Sequence, residues 1–168
     1  LGVHGSRAKL AGDVDLKTVA RATPGFSGAE LEALINEAAL AAALDHREQV
    51  DQADLEESRD KVRWGRQKHS RAVDDDDLEA TAWHEAGHAL VALALEHADP
   101  IHKVTIIPRG MALGATMSLP EKDVVGLRKQ QILDKIALCY GGRLGERTRT
   151  GDISTGAAND LEQATDLA

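Results

Sequence analysis

The sequence is poor in aromatic residues and cysteine, and it contains no long apolar run. Phe, Tyr and Trp make up 2% of the 168 residues, which favours closely packed helices over a β-sandwich. The single cysteine, Cys139, excludes an internal disulfide and suits a reducing compartment. No segment approaches the roughly 18 apolar residues of a membrane span, and the first residues lack a signal-peptide pattern. We therefore expect a soluble, mostly helical chain of one or two small domains.

Positive charge and a phosphate-binding loop are also lacking. Lys and Arg number 20 against 28 Asp and Glu, giving a net charge of −8. Nucleic-acid binding is not expected, because it requires a basic surface that neutralises phosphates. The pattern Gly-x-x-x-x-Gly-Lys-Ser/Thr is missing, so nothing in the sequence would cradle the phosphates of ATP or place its magnesium. We expect that this chain alone does not hydrolyse ATP.

The most informative motif in the sequence is HEAGH, at residues 84–88. On a helix, His84 and His88 lie one turn apart on the same face and can bind one metal ion. Glu85 is turned away, within reach of a water molecule on that metal. The alternative is a surface helix with two histidines. However, residues 78–96 read as one helix that is apolar on most sides, where such polar groups need a partner. The motif therefore predicts a zinc hydrolase, and most of all a protease.

A catalytic zinc site usually takes three protein ligands, so one more is needed. The extended motif with a glycine and a third histidine is absent, because Val91 and Ala94 occupy those positions. The downstream candidates are His97, His102, Glu121, Asp123, Asp152 and Asp160.

Helical periodicity favours Asp160 among these candidates. Residues 154–168 read as a helix that opens after Ser154 or Thr155 as N-cap. Asp160 lies within its apolar stripe, where a carboxylate needs a cation or hydrogen bonds. The alternative is that Asp160 only caps amides near the start of the helix. The stripe consists of Ala157, Leu161, Ala164 and Ala168.

Four blocks of the sequence resemble the peptidase domain of the FtsH-type AAA zinc metalloproteases. They are TAWHEAGH at 81–88, DPIHKVTIIPRG at 99–110, YGGRL at 140–144 and STGAANDL at 154–161. The resemblance implies that His84, His88 and Asp160 bind zinc and that Glu85 is the catalytic base.

The N-terminal part resembles the small helical lid of AAA ATPases, in residues 10–16 and 23–31. Its residues alone predict a helical bundle. Ser27 with Glu30 forms a capping box for a helix to about residue 45, and Asp51 with Asp54 opens another to about residue 64.

The lid resemblance further implies contacts with nucleotide. It places His4, Gly28 and Ala29 beside the adenine of ATP bound to a neighbouring domain. The alternative is a surface histidine and two small residues at a helix start.

The predicted fold is mainly α: a small helical AAA lid at 1–65, a linker at 66–77 with Gly65 as a hinge, and the first part of a mostly helical zinc peptidase domain at 78–168. A helix is predicted at about 126–140. Strands at 102–108 and 111–119 would form a short β-hairpin, which either binds a peptide substrate as an added strand or only packs over the metal helix.

The resulting prediction is a fragment of an ATP-dependent zinc endopeptidase, with Zn²⁺ here and ATP with Mg²⁺ in the full-length protein. The resemblance implies unfolded or damaged protein substrates, a homo-hexamer, and membrane anchoring through segments absent here, with this part on the cytoplasmic or equivalent organelle-interior face. We expect the fragment itself to be weakly active or inactive. Two alternatives remain: another zinc hydrolase that uses Glu121 or Asp123, and a lid and assembly module with a degenerate, non-proteolytic zinc site.

Overall fold

The computed structural model describes residues 1–6, 8–67, 74–110, 113–120 and 126–168. Within these ranges the chain forms seven α-helices, one 3-10 turn and one two-stranded antiparallel sheet, so the mainly α prediction is confirmed. None of the helices in the described ranges has the length and apolarity required to cross a membrane. The chain divides into two compact units.

Unit 1 comprises the described part of 1–67 together with Arg109 and Gly110. Its helices are α1 (Gly2–Gly5), α2 (Leu16–Arg21), α3 (Gly28–Leu44) and α4 (Gln52–Trp64). Both predicted capping boxes are present, one between Ser27 and Glu30 and the other between Asp51 and Asp54. The helices pack around a core of Val19, Leu34, Ile35, Ala38, Ala42, Val50 and Leu55. The small helical bundle expected from these signals is therefore present.

Unit 2 contains the HEAGH segment and is organised around two long helices. Its elements are α5 (Asp75–Ala94), β1 (Ile101–Thr105), β2 (Ala115–Ser118), α6 (Lys129–Thr150), a 3-10 turn (Thr155–Ala157) and α7 (Ala158–Leu167). Helix α5 packs along α6, and α7 packs against α6 as well. Both strands lie against α5. Asp74 is the N-cap of α5, and its side chain accepts a hydrogen bond from the backbone N–H of Asp77. This cap explains why α5 begins before the predicted residue 78.

The sheet of unit 2 is shorter than the sequence predicts. Its strands pair antiparallel with Val104 opposite Thr116, but β1 ends at Thr105 rather than at residue 108. Ile106 and Ile107 lie outside β1 and are exposed, although their β-branched side chains favour strand structure. Strand β2 covers four residues of the predicted 111–119.

Helix α6 is the largest departure from the sequence prediction, which was wrong in ending this helix at residue 140. The helix continues through Gly141, Gly142 and Gly145, because these glycines do not terminate it but face α5. A Cβ at Gly141 would lie 2.9 Å from the carbonyl oxygen of Gly87, and one at Gly145 would lie 3.2 Å from the Cα of Gly87. The backbones of α5 and α6 are therefore in direct contact.

We predict that Gly87→Ala destabilises unit 2. The added methyl group would overlap the carbonyl of Gly141, and overpacking of this kind costs about 1–3 kcal/mol. Thermal unfolding followed by circular dichroism would measure the loss. Gly12→Ala is the matched control, since a Cβ there meets no described atom within 4 Å. Equal melting temperatures for Gly87→Ala and the parent would show that the helices are not held this closely.

Candidate metal centre

Two histidines of α5 and one aspartate of α7 meet in unit 2. The Nε2 atoms of His84 and His88 are 3.0 Å apart, and Oδ2 of Asp160 lies 3.1 Å and 3.3 Å from them, respectively. The three side chains are between 11% and 18% exposed. Throughout the described parts of the chain, no other trio of His, Cys, Asp or Glu groups is close enough to hold a metal ion.

The donor set fits zinc. Zinc binds imidazole nitrogen and carboxylate oxygen at about 2.0–2.2 Å with tetrahedral geometry, which places neighbouring ligand atoms about 3.3 Å apart. The observed separations of 3.0–3.3 Å are close to that value. In this arrangement three lone pairs, from two imidazole nitrogens and one carboxylate oxygen, are directed toward one point. Only a cation or a proton can relieve their repulsion.

Each histidine is oriented by a hydrogen bond from its other ring nitrogen. Nδ1 of His84 lies 2.8 Å from Oε1 of Glu146, and Nδ1 of His88 lies 2.8 Å from the carbonyl oxygen of Leu138. Because both partners are acceptors, Nδ1 carries the proton and donates in both rings, which leaves the Nε2 lone pairs directed toward Asp160. Both rings are thus held in the tautomer that binds metal.

Glu146 also organises the segment that leads to Asp160. The backbone N–H of Ser154 donates to its Oε2 at 2.7 Å, and the Ser154 hydroxyl donates to its Oε1 at 3.1 Å. Ser154 is the N-cap of the 3-10 turn before α7, as one of the two caps predicted from the sequence. One carboxylate of α6 therefore links the ring of His84 to the start of the helix that carries Asp160. Sequence reasoning missed Glu146 because the predicted helix stopped at residue 140.

The three central groups perturb one another electrostatically. Burial acts to lower the pKa of His84 and to raise that of Asp160, but the hydrogen bond that a protonated His84 ring would donate to Asp160 acts in the opposite sense and prevails. The pKa of His84 is consequently raised, with Glu146 contributing, and the pKa of Asp160 falls to about 2. For His88, burial is likewise outweighed by Asp160 and by the Leu138 carbonyl, so its pKa is raised. Asp160 is therefore ionised at neutral pH, as a metal ligand must be.

Glu85 lies beside this trio but is not part of it. The residue is 6% exposed, and burial raises the pKa of its carboxyl group. Its Oε2 accepts a hydrogen bond of 2.6 Å from the hydroxyl of Thr116 in β2. Glu85 thus combines proximity to the donor set with a pKa shifted toward the range that suits proton transfer near neutral pH.

A glycine of α6 gives the imidazoles their space. A Cβ at Gly142 would lie 2.6 Å from Nε2 of His88 and would also overlap the ring of His84. Position 142 therefore has to lack a side chain if both rings are to converge.

Among the described residues, the other candidate ligands do not join the trio. The backbone N–H of His97 donates a hydrogen bond to the carboxylate of Asp134. His102 lies in β1, and the backbone of Asp152 forms hydrogen bonds with Thr150. Glu121 and Asp123 fall outside the described residues.

The residues predicted to contact adenine all lie in unit 1. His4 is in α1, and its Nδ1 is buried with no hydrogen-bond partner among the described residues. Gly28 and Ala29 are the first two residues of α3, against which α1 packs. Their contact with nucleotide stays a prediction.

We predict that Glu146→Gln weakens zinc binding about 10–100-fold, because it removes the charge that orients and polarises His84. Competition with a chromophoric chelator would give the dissociation constant. Glu162→Gln, at an exposed position of α7, is the control and should leave the affinity unchanged. Parent-like affinity in Glu146→Gln would contradict the role assigned to this carboxylate.

A His-Glu-x-x-His helix whose two imidazoles converge with a distant carboxylate is the arrangement found in zinc metallopeptidases. Comparison with protein families gives matches to Peptidase family M41 over residues 71–168 and to the AAA+ lid domain over residues 13–57. The chain belongs to peptidase family M41, and the resemblance drawn from the four sequence blocks is confirmed.

Curated relatives agree with this assignment. The chain is 55% identical over 165 residues to ATP-dependent zinc metalloprotease FtsH 2 of Methylacidiphilum infernorum (isolate V4), covering 98% of the chain and 26% of the relative. It is 52% identical over its whole length to ATP-dependent zinc metalloprotease FtsH of Borreliella burgdorferi (strain ZS7), again covering 26% of that protein. The chain thus spans about a quarter of the length of these relatives.

Proposed function

We propose that unit 2 carries the zinc site of an endopeptidase, with His84, His88 and Asp160 as the metal ligands and Glu85 as the general base. The observation that carries this proposal is the convergence of Nε2, Nε2 and Oδ2 within 3.0–3.3 Å of one another. Membership of family M41 and the zinc metalloprotease names of the relatives support it.

The chemistry follows from the positions of these side chains. When bound, zinc would supply the Lewis acidity that polarises the scissile carbonyl and acidifies a water molecule. Glu85 accepts the proton of that water and then delivers it to the departing amine. Burial suits Glu85 to both steps, because its raised pKa lowers the cost of holding the proton between them.

The proposal extends to the whole protein through its relatives. Those relatives are named as ATP-dependent proteases, so we propose that unit 1 acts as an AAA lid. His4, Gly28 and Ala29 would then lie beside the adenine of ATP. The substrates would be unfolded or damaged proteins handled by a membrane-anchored homo-hexamer. The domain boundaries proposed for these roles are 1–65 for the lid, 66–77 for the linker and 78–168 for the peptidase part.

The alternative function is an assembly module with an inactive zinc site. Two observations argue against it: an acceptor oxygen faces Nδ1 of each histidine, and Glu85, next to His84 in the chain, is buried. An assembly role alone requires neither a buried general base nor three convergent ligands.

Glu85→Gln tests the catalytic proposal. The variant should be assayed in a chimeric protease, in which this sequence replaces the matching segment of the Methylacidiphilum relative. Hydrolysis of an unfolded protein should fall by about 10²–10⁴-fold because Gln cannot take the proton. Zinc content should be unchanged, because Glu85 is not one of the three proposed ligands.

Glu96→Gln is the matched control, since Glu96 is exposed just beyond α5 and should leave the rate unchanged. Retained proteolysis in Glu85→Gln, or a chimera that is inactive with the parent sequence while the relative itself is active, would contradict the proposed function.

A further inference from the structure

The proposed general base, Glu85, accepts a hydrogen bond from Thr116 of strand β2. Neither the HEAGH motif nor the three proposed ligands account for this interaction. We propose that Thr116 is a positioning residue for Glu85, and that Thr116 and Gly114 together hold its carboxylate in one orientation. This inference rests on the proposed function, because it assigns a role within the same reaction. Thr116 lies 31 residues from Glu85 in the sequence.

The hydroxyl of Thr116 is committed to the carboxylate. Its Oγ1 lies 2.6 Å from Oε2 of Glu85 and 3.2 Å from the backbone carbonyl oxygen of the same residue. A hydroxyl has one proton to donate, and the shorter of the two contacts is the stronger bond. Thr116 therefore donates to Oε2 of Glu85.

Gly114 provides the space for the rest of the carboxylate. A Cβ at this position would lie 2.7 Å from Oε1 of Glu85 and 2.8 Å from its Cγ. It would also lie 2.9 Å from the carbonyl oxygen of Thr105 in the paired strand. Any side chain at 114 would thus displace Glu85 or part the strands. One short segment therefore acts on both carboxylate oxygens. Thr116 donates a hydrogen bond to Oε2, and Gly114 leaves free the space that Oε1 occupies.

Such support matters because glutamate is flexible. Its side chain has three rotatable bonds, and a general base must stay within hydrogen-bond distance of the water it deprotonates. A carboxylate already fixed before substrate binds avoids the entropic cost of ordering during the reaction. Burial alone gives no direction to the group, whereas a 2.6 Å hydrogen bond does.

The paired variants Thr116→Val and Thr116→Ser test this role in the chimeric protease. Val matches the shape of Thr but has no hydroxyl, and Ser keeps the hydroxyl. We expect Thr116→Val to lower kcat about tenfold or more with little change in KM, and Thr116→Ser to restore most of kcat. Gly114→Ala should also lower kcat, since it displaces Glu85 without removing the hydroxyl.

Two binding measurements on the 168-residue chain separate positioning from structural damage. Zinc affinity should equal that of the parent in both Thr116 variants, because the hydrogen bonds of the Thr116 hydroxyl go to Glu85, which is not one of the three proposed ligands. Binding of acetohydroxamate to the zinc-loaded chain, followed by calorimetry, should weaken about tenfold in Thr116→Val only. This probe chelates zinc and needs a nearby base to accept its acidic proton.

Parent-like kcat and acetohydroxamate affinity in Thr116→Val would overturn the inference, as would equal damage in Thr116→Ser or a loss of zinc from either variant. The two proposals can fail separately. An active Glu85→Gln variant would refute the proposed function, whereas an inactive Glu85→Gln beside an unaffected Thr116→Val would refute only the positioning role.

Discussion

The direct backbone contact between α5 and α6 is the constraint on which the rest of unit 2 depends. Gly87, Gly141 and Gly145 meet at this contact, where any Cβ would overlap the opposing helix. Such glycines cost helix stability, by about 1 kcal/mol each relative to alanine in a helix interior. The close approach offsets this cost, because it brings groups of α6 within hydrogen-bond distance of side chains on α5. A wider spacing would leave the two histidines without their partners.

Three consequences of that contact converge on the metal centre. The carbonyl of Leu138 and the carboxylate of Glu146 both reach Nδ1 atoms of α5 and fix the ring tautomers. Gly142 leaves the space in which the two rings meet. Glu146 then extends the arrangement to Ser154 and the start of α7, which presents Asp160. The position of the third proposed ligand is thus tied to that of the first through a single side chain.

Local signals in the sequence predicted what depends on local structure. The capping boxes at Ser27 and Asp51 located α3 and α4, since capping involves residues three positions apart. The HEAGH spacing and the periodicity around Asp160 indicated the groups that meet in unit 2. Glu146 and Thr116 could not be found in this way, because they act on residues 62 and 31 positions distant. The length of α6 was missed for the same reason. Its glycines can either end the helix or pack against a second helix, and which of the two occurs depends on the distant helix α5.

Zinc content per chain, measured by elemental analysis, tests the central claim most directly. The parent chain and Asp166→Ala, an exposed control on α7, should each hold about one zinc. Asp160→Ala should lose most of it, since two histidines alone bind weakly. Equal zinc in Asp160→Ala and the parent would show that Asp160 is not a ligand, and a parent chain that takes up no zinc would contradict the proposed metal centre.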